Sequence, residues 1–226
     1  MNVLVIAPHM DDEVLGCGGT IGRHVDEGDH VSVCIVANRA YGHIYDPEAI
    51  EREKAAARAA QAVLGYQDLI FLDCPDERLD ARLIDLIVPL EKVCQEARPH
   101  IAYVCHRGDM NQDHRAVFEA ALVACRPYAA SSPIRSLRAF EVPSSTDFAP
   151  PCPDWTFAPN LYVDIAEHLD KKIAALRCYE REMRTFPHPR SPEGLRVYAQ
   201  KRGMEAGMPA AEAFSLIREL VPAGGR

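Results

Sequence analysis

Several things are scarce in this 226-residue chain, and each scarcity removes a class of function. Positive charge is in deficit: 25 Lys and Arg face 33 Asp and Glu, a formal charge of −8. That leaves no electrostatic footprint for nucleic acid or an anionic membrane, and it disfavours a polyanionic substrate. No apolar run approaches bilayer-spanning length, and Met1-Asn2-Val3 enters a strand without the charged and apolar segments of a secretory signal. A soluble cytoplasmic protein without membrane insertion is expected. No Cys-x-x-Cys pair occurs; Cys17, Cys34, Cys74, Cys94, Cys105, Cys125, Cys152 and Cys178 are scattered, many within apolar patterns. Reduced, mostly buried thiols follow, and a Cys-ligated metal is disfavoured.

A dinucleotide fingerprint is also missing. Gly16-Cys17-Gly18-Gly19 follows a strand, but the spacing is not Gly-x-Gly-x-x-Gly, and Asp11, Asp12 and Glu13 would repel a pyrophosphate. Close packing of a helix on a sheet, or backbone access to a pocket, accounts better for these glycines. No cofactor-binding residues are assigned to a nucleotide.

What is present is an alternation of strand and helix patterns. Strands are expected at Val3 to Ile6, His30 to Ala37, Leu69 to Leu72, His100 to Cys105, Ser136 to Val142 and Asn160 to Ile165. Helices are expected at Val14 to Glu27, Glu48 to Leu64, Leu79 to Ala97, Asp113 to Cys125, Ala166 to Met183 and Pro192 to Ala206. The tail Ala223 to Arg226 reads as frayed. The order implies an α/β fold: a Rossmann-like three-layer α/β/α sandwich with a mostly parallel sheet and a C-terminal helical extension. The chain reads as a single domain over 1–226, its parallel core at 1–130 and a substrate-shaping part at 131–226.

Two polar clusters close apolar strands. The first is Pro8-His9-Met10-Asp11-Asp12-Glu13, the second His106-Arg107-Gly108-Asp109-Met110-Asn111-Gln112-Asp113-His114. Carboxylates this close repel unless a cation, a helix N-terminus or solvent compensates them. His9 and Asp12 can share one divalent ion, leaving Asp11 free to take a proton, and His114 is the natural third ligand. In an open parallel sheet both clusters lie at carboxyl ends of strands, where such folds bind ligands. Asp113 reads either as an acceptor behind the ligands or as a helix cap, and His106 and Asp109 read as organisers of their loop.

With these residues in view the chain resembles the PIG-L (LmbE-like) family of metal-dependent N-acetylglucosaminyl deacetylases. The resemblance rests on residues 8–13 with Gly18-Gly19, on Asp109 through His114, and on the α/β order over roughly the first 130 residues. It implies a Zn²⁺ cofactor on His9, Asp12 and His114, with Asp11 as general base on a metal-bound water. The implied reaction is hydrolysis of an N-acetyl or other small N-acyl amide on an amino sugar or sugar-containing small molecule. One departure stands out: many members carry His three residues before the last ligand, where this chain has Asn111. Asn can donate to an oxyanion but cannot shuttle a proton.

The leaving amine must then be protonated by Asp11 or by another imidazole, and His188, held between Pro187 and Pro189, is the candidate. Arg52, Ser145 and Arg190 are candidate substrate-binding residues, each with a plain reading as a solvated helix face, a turn or a rigid connection. The rival readings are hydrolysis of a different amide (a thiol conjugate, a formamide or a lipid-linked substrate), a catalytically silent sugar- or metal-binding protein, and a nucleotide-using α/β enzyme. The sequence leaves a homo-oligomer open.

Overall fold

The computed structural model describes residues 1–127, 133–221 and 223. Its elements in chain order are β1 (Asn2–Ala7), α1 (Asp12–Asp26), β2 (His30–Asn38), α2 (Pro47–Leu64), β3 (Asp68–Pro75), α3 (Ile84–Ala97), β4 (Ile101–Cys105), α4 (Gln112–Ala124), β5 (Ser136–Phe140), β6 (Leu161–Asp164), α5 (Leu169–Leu176), α6 (Pro192–Ala206) and β7 (Ala211–Glu219). The strands join one sheet in the order β3-β2-β1-β4-β5-β7-β6. Strands β3, β2, β1, β4 and β5 are parallel, and β7 runs antiparallel to both β5 and β6.

The apolar runs of β1, β2 and β4 are buried, as central strands covered by helices on both faces require. Small residues let α1 seat closely: a Cβ on Gly16 would lie 2.2 Å from the Phe140 ring, and one on Gly19 would lie 2.7 Å from Ile165. Helix α2 starts where Asp46 accepts from the Glu48 N–H ahead of Pro47, and it stops at Gly65, whose φ of 85° suits a residue without Cβ. Because β1 leads to β2 on one side while β4 lies on the other, the carboxyl ends of β1 and β4 border a crevice at the topological switch point.

Three elements depart from expectation. The helix expected from Leu79 begins at Ile84, because Leu79 anchors a turn instead: its side chain is buried and its N–H donates to Asp113 Oδ1 at 3.2 Å. The helix expected over 166–183 is confined to α5. Beyond it the N–H groups of Cys178, Tyr179 and Glu182 bond three residues back, tight turns that leave Tyr179 and Glu182 buried. Strand β7 has no counterpart among the expected strands, and Glu212 interrupts its apolar pattern. That carboxylate is buried, accepting from the N–H groups of Gly19 (2.9 Å) and Thr20 (2.7 Å) and from Lys172 Nζ (2.6 Å).

All eight cysteines are free thiols, five of them buried. Among the described residues no helix is long and apolar enough to cross a membrane. Of the tail expected to fray, Gly224 to Arg226 lie outside the described residues.

Candidate active site

The first cluster is built by the turn from β1 into α1. Asp11 sits at the helix N-cap with φ 111°, a left-handed conformation unusual for a residue with a side chain. Glu13 holds it there: Oε2 accepts from the Asp11 N–H at 3.1 Å, and Oε1 accepts from the Tyr179 hydroxyl at 2.5 Å. The second cluster is set by α4, where Asn111 caps the helix by accepting from the Asp113 N–H at 2.8 Å and so places His114 in the first turn.

The two clusters meet. His9 Nδ1 lies 3.3 Å from Asp12 Oδ2 and 3.3 Å from His114 Nε2, and His114 Nε2 lies 3.2 Å from Asp12 Oδ2. All three side chains are buried. The far nitrogens of both rings face carboxylates: His9 Nε2 is 2.8 Å from Asp76 Oδ1, and His114 Nδ1 is 3.1 Å from Asp109 Oδ2. If those nitrogens carry the ring protons, the near ones present lone pairs to one another and to Asp12. Such a group needs a cation or a shared proton. The spacing suits a tetrahedral ion, since metal–ligand bonds of about 2.0–2.1 Å put ligand atoms about 3.3–3.4 Å apart.

Protonation tells the same story. Burial opposes charge on His114, but Asp12 and Asp109 raise its pKa to about 9. His9 is likewise raised against burial by Asp113, Asp12 and Asp76. A second group, His9 with Asp76 and Asp113, also has ligand atoms close enough to share an ion. It uses the opposite face of His9, where Asp76 is already at hydrogen-bond distance and Asp113 accepts from the Glu77 and Leu79 N–H groups. Those carboxylates orient the ring, the role outer partners of metal-bound histidines usually take.

Asp11 points elsewhere. Its Oδ2 accepts from Arg190 Nη1 at 2.9 Å, while Oδ1 is buried with no hydrogen-bond partner among the described residues. Burial raises its pKa to about 7 against the pull of Arg190. Arg190 also lies 3.4 Å from Glu182 Oε2, which in turn meets Arg39 Nη2 at 3.3 Å. Arg39, Tyr41, Asp76, Met110, Asn111 and Glu182 are among the residues lining a cleft of about 630 Å³ that meets the site at Asp76 and Asp113, the carboxylates behind His9; His9, Asp11, Asp12 and His114 themselves lie beneath that lining and are not part of it.

The other sequence candidates fall in varied places. Asn111 lines the cleft, with its oxygen committed to the helix cap. The Ser145 hydroxyl donates to Asp109, so it braces the carboxylate behind His114. Asp109 also accepts from Thr146 Oγ1 at 2.8 Å and the Asn111 N–H at 2.8 Å, while His106 Nε2 is 3.2 Å from the Trp155 carbonyl. Arg190 is brought to Asp11 rather than to open cleft. His188 is half-buried; its Nδ1 accepts from the Arg190 N–H at 3.1 Å, and it is absent from the cleft lining. Arg52 is exposed on α2, 3.6 Å from both Asp46 and Glu48, and is likewise absent from that lining. Sequence reasoning missed Arg39, Asp76 and Glu182. Asp76-Glu77 directly follows β3, the same acidic signal after a strand that marked residues 11–13, and could have been read.

The sequence model of the GlcNAc-PI de-N-acetylase (PIG-L) family matches residues 4–125, the span holding both clusters. The chain belongs to this family. It is 29% identical over 182 residues to an uncharacterized deacetylase, YaiS, of Escherichia coli (strain K12), covering 77% of this chain and 88% of that protein. It is 26% identical over 196 residues to the diacetylchitobiose deacetylase of Thermococcus kodakarensis, covering 80% and 69%. Among solved structures, a conserved protein of Thermus thermophilus superposes with a TM-score of 0.79 at 24% identity, covering 100% of this chain and 99% of that one. GalB, the 4-carboxy-2-hydroxymuconate hydratase of Pseudomonas putida KT2440, does so with a TM-score of 0.76 at 22% identity, covering 100% of both. At these identities the structures establish the fold and do not choose the reaction.

Proposed function

We propose that this protein is a zinc-dependent N-deacetylase acting on an N-acetylated amino sugar or a sugar-containing small molecule. The observation that carries it is the set of three buried ligand atoms 3.2–3.3 Å apart on His9, Asp12 and His114, beside an Asp11 carboxylate that takes no part in that set. Family membership and the deacetylase relatives support the acyl-transfer chemistry, and the diacetylchitobiose relative supports the sugar.

His9 Nδ1, His114 Nε2 and Asp12 Oδ2 would hold the ion. When bound, zinc supplies Lewis acidity, lowering the pKa of water and polarising the acyl oxygen. Asp11 takes the proton from the attacking water, and its partnerless Oδ1 is the free acceptor. Arg190 fixes the other carboxylate oxygen, so the base enters the reaction already oriented. Asn111 lines the cleft with its Oδ1 held by the helix cap, and its amide Nδ2 would donate to the developing oxyanion. The leaving amine is protonated either by Asp11, which hands on the proton taken from water, or by a His188 imidazolium, in which case the water's proton stays on Asp11; the Arg190 backbone ties the His188 loop to the segment that reaches Asp11.

A second reading has a specific observation behind it. Arg39 and Arg184 place two guanidiniums in the cleft wall, which suits a carboxylate substrate, and the fold also serves the GalB hydratase. One mass-spectrometric screen separates the two. Incubation with N-acetylated sugars, sugar nucleotides and glycosylated metabolites, with and without added zinc, is expected to show zinc-dependent acetate release. Zinc-dependent gain of water by unsaturated dicarboxylic acids, with no acetate from the sugars, would replace the deacetylase reading.

A further inference from the structure

The Glu182 carboxylate is the hub between the base and the cleft wall. It is only 2% exposed, and it gathers groups from well-separated stretches of chain. Oε1 accepts from the Tyr41 hydroxyl at 3.0 Å; Oε2 lies 3.3 Å from Arg39 Nη2 and 3.4 Å from Arg190 Nη1. Arg39 and Tyr41 follow β2 and line the cleft, whereas Arg190 precedes α6 and reaches Asp11 Oδ2 at 2.9 Å. Arg184 stands further off, at 3.9 Å. The turns that end α5 early are what bring Glu182 here, because helical residues at 177–183 would carry its side chain along the continuing helix axis.

Two guanidiniums share this one buried carboxylate. Arg190 is clamped between Asp11 and Glu182, and Arg39 has Glu182 as its ion-pair partner. Without Glu182 the Arg190 guanidinium keeps Asp11 on Nη1 and, on Nε, the Ser144 hydroxyl at 3.0 Å and the Pro143 carbonyl at 3.4 Å, but its Nη1 end loses the second carboxylate and gains freedom to rotate, and Arg39 loses its ion-pair partner in the wall. We infer that Glu182 is a positioning residue of the catalytic site, which fixes Asp11 through Arg190 and the cleft wall through Arg39 and Tyr41. The consequence for turnover rests on the deacetylase reading; the clamp itself does not.

The experiment therefore has two arms on the full chain. In the first, side-chain ¹H–¹⁵N spectra of zinc-loaded protein follow Arg190, assigned with Arg190→Lys. Clamping by two carboxylates slows rotation of its guanidinium and gives resolved Nη resonances; Glu182→Gln collapses them to an averaged signal, and Glu182→Asp, which keeps the charge on a shorter stem, restores them in part. In the second, kcat and KM for N,N′-diacetylchitobiose are measured for Glu182→Gln, Arg190→Ala and the double variant. Glu182→Gln lowers kcat by about 10–100-fold, as loss of alignment does. In the Arg190→Ala background the same change lowers it little further, because the two act in series. Arg190 resonances unaltered in both Glu182 variants overturn the positioning role whether or not this sugar is a substrate, and losses that multiply in the double variant overturn the route through Arg190. Absence of acetate from the wild type, with the Arg190 signal still collapsing in Glu182→Gln, sinks the deacetylase reading and leaves the clamp standing.

Discussion

Asp11→Asn should trade activity for stability, and the structure sets both sizes. The amide is nearly isosteric and can still accept from Arg190 Nη1, but it cannot take a proton, so kcat falls by about 10²–10⁴, the usual loss for a positioned base. Stability moves the other way. Folding raises the carboxyl from an ordinary 3.8 to about 7, chiefly through burial. At about 1.4 kcal/mol per tenfold, keeping that charge buried above pH 7 costs the fold at most on the order of 4 kcal/mol. The raised pKa already includes the Arg190 attraction; what offsets the gain is an amide group buried where Oδ1 has no partner among the described residues, so the expected net gain is about 1–2 kcal/mol at pH 8. The pH dependence carries the sign. Between pH 4 and pH 7 the unfolded chain releases the proton that the folded carboxyl retains, so the wild type loses stability relative to the variant across that window, and above it the difference is flat. Urea unfolding of chelator-treated protein at a series of pH values measures the gap. A variant less stable than wild type at pH 8, or a gap constant from pH 4 to pH 8, would refute the assignment of a buried, raised carboxyl at position 11.

The remaining predictions concern the groups around it. His9→Ala, Asp12→Ala and His114→Ala should each lose stoichiometric zinc by elemental analysis while Asp11→Asn retains it; an ion bound with unchanged affinity in His114→Ala would move the site. Asp109→Asn, which removes the carboxylate behind His114, should weaken zinc binding about 10–100-fold in a competition titration, and unchanged affinity would make that carboxylate a loop brace only. Glu212→Ala leaves the Lys172 ammonium buried and unpaired, so a loss of about 3–5 kcal/mol is expected by denaturant unfolding, with a change under 1 kcal/mol arguing that the pair is wetter than its burial indicates. His188→Ala should lower kcat more than it raises KM and remove a basic-limb ionisation if His188 protonates the amine; an altered KM alone would leave both proton transfers to Asp11.

Local signals explain why part of this site could be read from sequence. His9 and Asp12 follow the end of β1 by two and five residues and His114 sits in the first turn of the helix after β4, and in a parallel sheet neighbouring strand ends are brought together by topology alone. The same logic covers Asp76, which directly follows β3, although one carboxylate pair after a short strand also reads as a turn. Arg39, Arg190 and Glu182 differ in kind. Their meeting depends on where a helix stops, and α5 stops where successive N–H groups switch to bonds three residues back, something the apolar spacing through Met183 does not reveal.

Buried charge defeats periodicity in the same way at the far end of the sheet. Strand β7 places Glu212 in the interior, where a pattern of burial calls for an apolar residue, because Lys172 from α5 and two N–H groups of α1 supply its partners. Those partners lie 40 and more than 190 residues away in sequence, so no window around Glu212 contains the reason for it. Glu182 and Glu212 thus share a cause. Each is a carboxylate whose burial is made tolerable by cations and donors from distant segments; Glu182 ties the C-terminal part to the residues after β2, and Glu212 ties it to the middle of α1. That coupling makes the C-terminal part a component of the geometry around Asp11, since without it Asp11 would keep the Glu13 bond to its N–H but lose the guanidinium that orients its carboxylate.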